Sequence, residues 1–145
     1  MKLKTRPAHK QEANFVVRDM KWDDYDHLNA ICTQLRQDMV RATEVDGPKG
    51  LVALRGNELV GGLVYDTDGN GKAKIETLVV AERWQEQGVG KTLMEKFFEK
   101  MRGARVTEVQ VRARNTDAER YYEVAHGFKP DRSHMGAFIM MTKKV

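Results

Sequence analysis

Between Ala73 and Arg112 the chain reads as strand, glycine turn, helix and strand, and this unit constrains the fold more than any other stretch. Ala73 to Val80 is a β-rich run. From Gly88 onward Val89, Leu93, Met94, Phe97, Phe98 and Met101 recur at helical spacing, marking one face of a helix that ends near Gly103. Val106 to Arg112 returns to alternation, with Val109 and Val111 on one side. Such a unit folds as a right-handed parallel crossover. The turn at its first strand-to-helix junction is where a phosphate would sit.

The flanking sequence supplies the rest of the sheet. Phe15 to Arg18 predicts a first strand, and Trp22 to Met39 a helix with Asp23, Asp24 and Asp26 in its first turn, where acids favour the helix dipole. Leu28, Ile31, Leu35 and Met39 form its apolar stripe, and Val40 to Gly50 a second short helix and loop. Leu51 to Arg55 and Leu59 to Tyr65 are strands closed into a hairpin by Gly56 and Asn57, so that with Ala73 to Val80 three antiparallel strands make a meander. Thr116 to Glu119 has the spelling of a capping box, starting a helix that stops at Gly127. Phe138 to Thr142 is a closing strand. The expected class is α/β, in the α+β sense: a mixed sheet with helices packed on it.

Composition narrows the function classes. A chain of 145 residues, 41% hydrophobic and 32% charged, is long enough for one core, so residues 15–145 are expected to form one domain behind a basic tail over residues 1–14. No apolar run approaches the ~18 residues of a membrane span, and the N-terminus lacks a signal-peptide apolar segment, which points to the cytosol and to no membrane partner. The net charge of +4 arises from 25 basic and 21 acidic residues interspersed without a basic stripe, so nucleic acid is not an expected partner. Cys32 lies in register with Leu28, Ile31 and Leu35 and reads as a reduced core residue. His9, His27, His126 and His134 show no metal-ligand spacing, and no metal is assigned.

The turn itself is Gln85-Glu86-Gln87-Gly88-Val89-Gly90-Lys91-Thr92. Its glycines admit unusual dihedrals, and the N–H groups of the first helical turn point at whatever lies in front. Gly90-Lys91-Thr92 also matches the last three positions of a P-loop, but the position that must hold the first glycine is Gln85, and no later apolar strand ends in an aspartate suited to magnesium.

The stretch Ile75-Glu76-Thr77-Leu78-Val79-Val80, followed after four residues by Gln85-x-x-Gly88-x-Gly90, resembles motif A of the GCN5-related N-acetyltransferases (GNAT). Asn115-Thr116-Asp117-Ala118-Glu119-Arg120-Tyr121-Tyr122, ending at Gly127-Phe128, resembles their motif B, and Arg18 to Asp24 is similar to their opening strand and helix. Gln85 stands where arginine is commoner, and Tyr122 to Gly127 is one residue longer than the usual spacing. The resemblance spans residues 15 to 142. It implies the acyl-CoA N-acyltransferase fold, a mostly antiparallel mixed sheet flanked by helices, with acetyl-CoA as cosubstrate in a V-shaped opening between the strands ending at Val80 and near Arg112.

The resemblance also implies roles. Backbone groups of Leu78, Val79 and Val80 would hold the pantetheine arm, with an oxyanion donor near Val79 or Val80. The pyrophosphate would lie on Gln87, Gly88, Val89, Gly90 and Lys91, with Gln85 in the same motif. Asn115 matches a position that contacts the pantetheine arm, or else is an ordinary residue before a helix. Glu76 matches the position of a base or polariser, and Tyr122 that of the general acid for the departing thiolate, with Tyr121 packing into the core beside Ala118 and Ala125. The expected activity is acetyl transfer to a primary amine, and the alternative is a non-catalytic acyl-CoA sensor on the same fold. The acceptor pocket would be built by residues from about Asp24 to Gly50 and Pro130 to Phe138, where Asp38, Glu44 and Asp46 suit a cationic amine while Lys49, Arg132 and His134 suit an anion. A small-molecule amine is the expected acceptor, and homodimerisation stays open by analogy.

Overall fold

A computed structural model describes residues 15–37, 48–131 and 139–145. These form strands β1 (Val16–Asp19), β2 (Gly50–Arg55), β3 (Glu58–Thr67), β4 (Lys72–Val80), β5 (Glu108–Ala113), β6 (Lys129–Asp131) and β7 (Ile139–Lys144). The helices are α1 (Asp24–Gln34), α2 (Val89–Gly103) and α3 (Thr116–His126), and Glu82–Trp84 is a 3-10 turn. The strands lie in one sheet in the order β1-β2-β3-β4-β5-β7-β6. β4 and β5 pair in parallel, whereas β1 with β2, β2 with β3, β5 with β7 and β6 with β7 are antiparallel. The mixed, mostly antiparallel sheet expected from the sequence is present.

The chain divides into two compact units. The first holds the described residues up to Val64 together with Thr77–Phe97. In it α1 buries Leu28, Ile31 and Cys32 against Met20, Val52, Val64 and Val79. Burial pushes the Cys32 thiol pKa up, as suits a core thiol. α1 is shorter than its apolar stripe suggests: Arg36 takes a left-handed φ of 58° and the Gln37 N–H bonds the Cys32 carbonyl, which closes the helix after Gln34. Met39 and the expected second helix lie outside the described residues.

Asp24, expected to serve the helix dipole, instead turns inward. Its carboxylate accepts from Arg18 Nη1 at 2.7 Å and Nη2 at 3.1 Å, and from the Lys21 N–H at 2.8 Å. The Arg18 guanidinium holds this carboxyl below its ordinary pKa. The contact ties the end of β1 to the first turn of α1.

The second unit holds Tyr65–Glu76 and the described residues from Phe98 onward. Here β4 pairs with β5 over Lys72–Ile75 and Glu108–Val111, and β5 pairs along its length with β7. Phe98, Met101, Val109, Val111, Phe128 and Met141 are buried. Asn115, not Thr116, caps α3: its side chain accepts from the Ala118 N–H at 2.8 Å. The far end closes at Gly127, with φ 75° and the Phe128 N–H on the Tyr122 carbonyl at 3.1 Å, so the longer spacing to this glycine is accommodated within one regular helix. Strand β6 was not foreseen. The closing strand begins at Ile139 and runs to Lys144, with Phe138 outside the described residues.

Candidate active site

The candidate residues fall in both units. In the first, Val79 is buried, Leu78 and Val80 are half-buried, and the Ala81 N–H bonds the Val60 carbonyl at 2.9 Å, holding the end of β4 to β3. Gly61 permits this approach: a Cβ there would meet the Val79 carbonyl oxygen at 2.9 Å and Val89 Cγ1 at 3.1 Å. The strand end and the start of α2 are therefore both seated on a residue without a side chain.

The turn that follows is pinned by its own glutamines. Gln85 Nε2 donates to the Val80 carbonyl at 3.0 Å and Gln87 Nε2 to the Arg83 carbonyl at 3.1 Å. Gln85 thus does a structural job at the motif position where arginine is commoner. Glu86 and Gly88 both take positive φ, 64° and 89°. The Gly88 carbonyl accepts from the Thr92 N–H at 3.0 Å, which opens the helix. By helix geometry the N–H groups of Val89, Gly90 and Lys91 then precede any intrahelical acceptor. A Cβ on Gly88 would meet nothing within 4 Å. The Val89 side chain is buried, while Lys91 is exposed. Backbone donors, helix dipole and one lysine are together groups that could hold an anion.

In the second unit Glu76 is exposed on β4, between Ile75, buried on the other face, and the unit's end. Asn115 is exposed and spends Oδ1 on capping α3. Tyr122 is half-buried, its ring 5.6 Å from Phe128 and 5.3 Å from Tyr121. Burial first, and the neighbouring Tyr121 second, push its hydroxyl pKa up to about 12.

Tyr121 departs from expectation. It is 38% exposed rather than packed in the core, and Ala125 beside it is exposed as well. Its hydroxyl lies 2.9 Å from His126 Nε2, and the two rings meet edge-on at 4.9 Å. His126 is buried, and its carbonyl accepts from Lys143 Nζ at 2.6 Å. An aromatic with a polar tip can keep that tip near solvent when a partner is at hand, and His126 is that partner. His27 is exposed, with Nδ1 3.3 Å from the Asp23 carbonyl, while His9 and His134 lie outside the described residues. Among the described residues no group of three or more His, Cys, Asp or Glu is placed to hold a metal ion.

Sequence reasoning missed two features here. One is the Arg18–Asp24 pair, whose six-residue spacing crosses a strand end and matches no local motif. The other is Trp84, with the guanidinium carbons of Arg55 and Arg83 at 4.8 and 5.6 Å from its ring centre. A tryptophan in a turn-rich stretch next to an arginine was the available signal.

Residues 14–128 match the model of the acetyltransferase (GNAT) family. The chain belongs to the GNAT acetyltransferase family. Membership sets aside the P-loop reading of Gly90-Lys91-Thr92. No curated protein matches the chain significantly. Among solved structures, Ard1 from Thermoplasma volcanium is similar with a TM-score of 0.78 at 20% identity, over 91% of this chain and 98% of that one. The ribosomal-protein-S18-alanine N-acetyltransferase from Escherichia coli has a TM-score of 0.73 at 15% identity, over 90% and 93%. The PaiA N-acetyltransferase from Thermoplasma acidophilum, solved in complex with coenzyme A, has a TM-score of 0.71 at 15% identity, over 90% and 99%. At these identities the likeness speaks for the fold. Among the described residues of this GNAT chain, no helix is long and apolar enough to cross a membrane.

Proposed function

We propose that the chain is an acetyl-CoA-dependent N-acetyltransferase acting in the cytosol on the primary amine of a small molecule. The observation that carries this reading is the glycine turn: a left-handed Gly88 at the head of α2, with the loop before it tied back to Val80 by Gln85. It supports a diphosphate on the N–H groups from Gln87 to Lys91, with Lys91 adding charge. Leu78 to Val80 would offer backbone groups to the pantetheine arm, and Asn115, whose Oδ1 is taken by the cap, would contribute through its amide nitrogen.

Acetyl-CoA, when bound, supplies the activated acyl group as a thioester. The chain's part is to take a proton from the amine, to stabilise charge on the carbonyl oxygen and to donate to the departing sulfur. Glu76 is the proposed base or polariser, directly or through water, and its exposed carboxylate suits that exchange. A backbone N–H near Val79 or Val80 is the proposed oxyanion donor. Tyr122 is the proposed acid: with a pKa near 12 it keeps its proton throughout the physiological range. Asp38, Glu44 and Asp46, outside the described residues, are the proposed attraction for a cationic acceptor.

Ligand-dependent stability tests the reading. At about 100 times Kd, a ligand that binds only the folded state adds about 2.7 kcal/mol, roughly 5 to 10 °C in melting temperature for a domain of this size. Acetyl-CoA should give such a shift in a thermal melt and ATP with magnesium a much smaller one. A larger shift with ATP would overturn the assignment.

A further inference from the structure

Within the glycine turn, Glu86 is the residue whose side chain does not suit its backbone. It takes a left-handed φ of 64°, as Gly88 does at 89°, but it carries a Cβ that this conformation disfavours. A residue of this kind keeps such a backbone only where its surroundings hold it there. Hydrogen bonds on either side of Glu86 do part of this: Gln85 Nε2 donates to the Val80 carbonyl and Gln87 Nε2 to the Arg83 carbonyl. Both reach back to residues 80–84, so they hold Glu86 only as firmly as that stretch is itself held.

The tip of the β2–β3 hairpin grips that stretch. Arg55 and Glu58 stand opposite one another where the hairpin closes. The guanidinium carbon of Arg55 lies 4.8 Å from the centre of the Trp84 ring, and Glu58 Oε1 accepts from Arg83 Nη2 at 3.2 Å. Arg83 faces the same ring at 5.6 Å. The Glu58 and Arg83 side chains are 52% and 71% exposed, and an ion pair so exposed contributes little alone. The firmer hold is the half-buried indole with two cations against it. Trp84 Nε1 is buried without a hydrogen-bond partner, which opposes the fold, so the ring and not its donor is what this position uses.

We propose that Trp84 is a positioning residue: clamped by the hairpin tip, it keeps Glu86 left-handed and so sets the direction of the backbone N–H groups that follow, an inference that rests on the acetyl-CoA reading of the turn. The test is calorimetric titration of the full chain with acetyl-CoA, with a thermal melt of each variant. Trp84→Ala should weaken binding about tenfold, the weight of one side-chain residue held left-handed. Trp84→Phe, which keeps a ring and removes the unpaired N–H, should stay within about threefold of the unaltered protein. Glu86→Gly, which accepts a positive φ without the clamp, should restore most of the affinity that Trp84→Ala loses, measured against Glu86→Gly alone. An unchanged affinity in Trp84→Ala with a lowered melting temperature would make Trp84 merely structural and overturn the proposal. So would the same loss with and without Glu86→Gly, since Trp84 would then not act through Glu86. If Trp84→Ala does not fold, Arg55→Gln combined with Glu58→Gln loosens the clamp and leaves the indole in place. That pair should cost about threefold in affinity, again relieved by Glu86→Gly, and a loss that Glu86→Gly does not relieve counts against the proposal. Failure of the unaltered protein to bind acetyl-CoA would instead defeat the reading of the turn, and this inference with it.

Discussion

Tyr121 and Tyr122 are adjacent on α3 and face about 100° apart, and the structure gives them different surroundings. Tyr121 is exposed, with its hydroxyl 2.9 Å from Nε2 of the buried His126, while Tyr122 sits against Phe128 with its hydroxyl pKa raised to about 12. Tyr122→Phe keeps the ring packing and deletes the proton donor, so kcat is expected to fall ~10² to 10⁴-fold with acetyl-CoA affinity retained. Tyr121→Phe should leave turnover near normal. Steady-state rates and cofactor affinity on both variants decide it, and near-normal turnover in the Tyr122 variant would defeat the assignment. The numbering of the tyrosines from Asn115 was legible in the sequence, but the exposure of Tyr121 was not, because it depends on a histidine five residues on whose burial no periodicity announces. Asp24 makes the same point. Arg18 holds its carboxyl below the ordinary 3.8, so the pair's contribution is present above that value and is lost as pH falls through the lowered one. Asp24→Asn should therefore flatten the acid limb of a denaturation series and cost about 2 kcal/mol at neutral pH, less than a fully buried pair because a third of Arg18 is exposed.

At the scale of elements, the long apolar stripes carried the most information. All six residues assigned to the buried face of α2 are buried, since a fifteen-residue helix repeats its period often enough to be read. Ends were read less well. α1 stops where Arg36 turns left-handed, a choice that the arginine itself does not signal, and the cap of α3 moved from Thr116 to Asn115 because either side chain can accept from the first turn. β6 has three residues, too few for alternation to show, and one of them is a proline. The position of the glycine turn between β4 and α2 was legible, and the structure gives Gly88 the left-handed φ such a turn uses; its reading as an anion site is the proposal. Gly88→Val tests it. The space around a Cβ is open, so the substitution meets no side chain, but a β-branched residue resists a φ of 89° and would project into the room proposed for the diphosphate. The protein should fold, with modest destabilisation in a melt, and lose acetyl-CoA binding by calorimetry. Retained affinity would place the phosphates elsewhere.

For the molecule as a whole, two motifs in order were enough to predict the family and the mixed sheet, and the family match over residues 14–128 agrees. The substrate was not legible in the same way. The segments expected to shape the acceptor pocket are those of least regular pattern, and much of their charge, at Asp38, Glu44, Asp46, Arg132 and His134, lies outside the described residues. Fold alone also does not separate an enzyme from a sensor, since both would bind acetyl-CoA. Turnover separates them. The direct measurement is release of free coenzyme A thiol when the protein is incubated with acetyl-CoA and a panel of small-molecule primary amines. Amine-dependent release above the protein-free rate, with the acetylated amine found by mass, is the predicted result. Acetyl-CoA that binds but stays intact with every amine, protein lysines included, would contradict the account and make the chain a binding module.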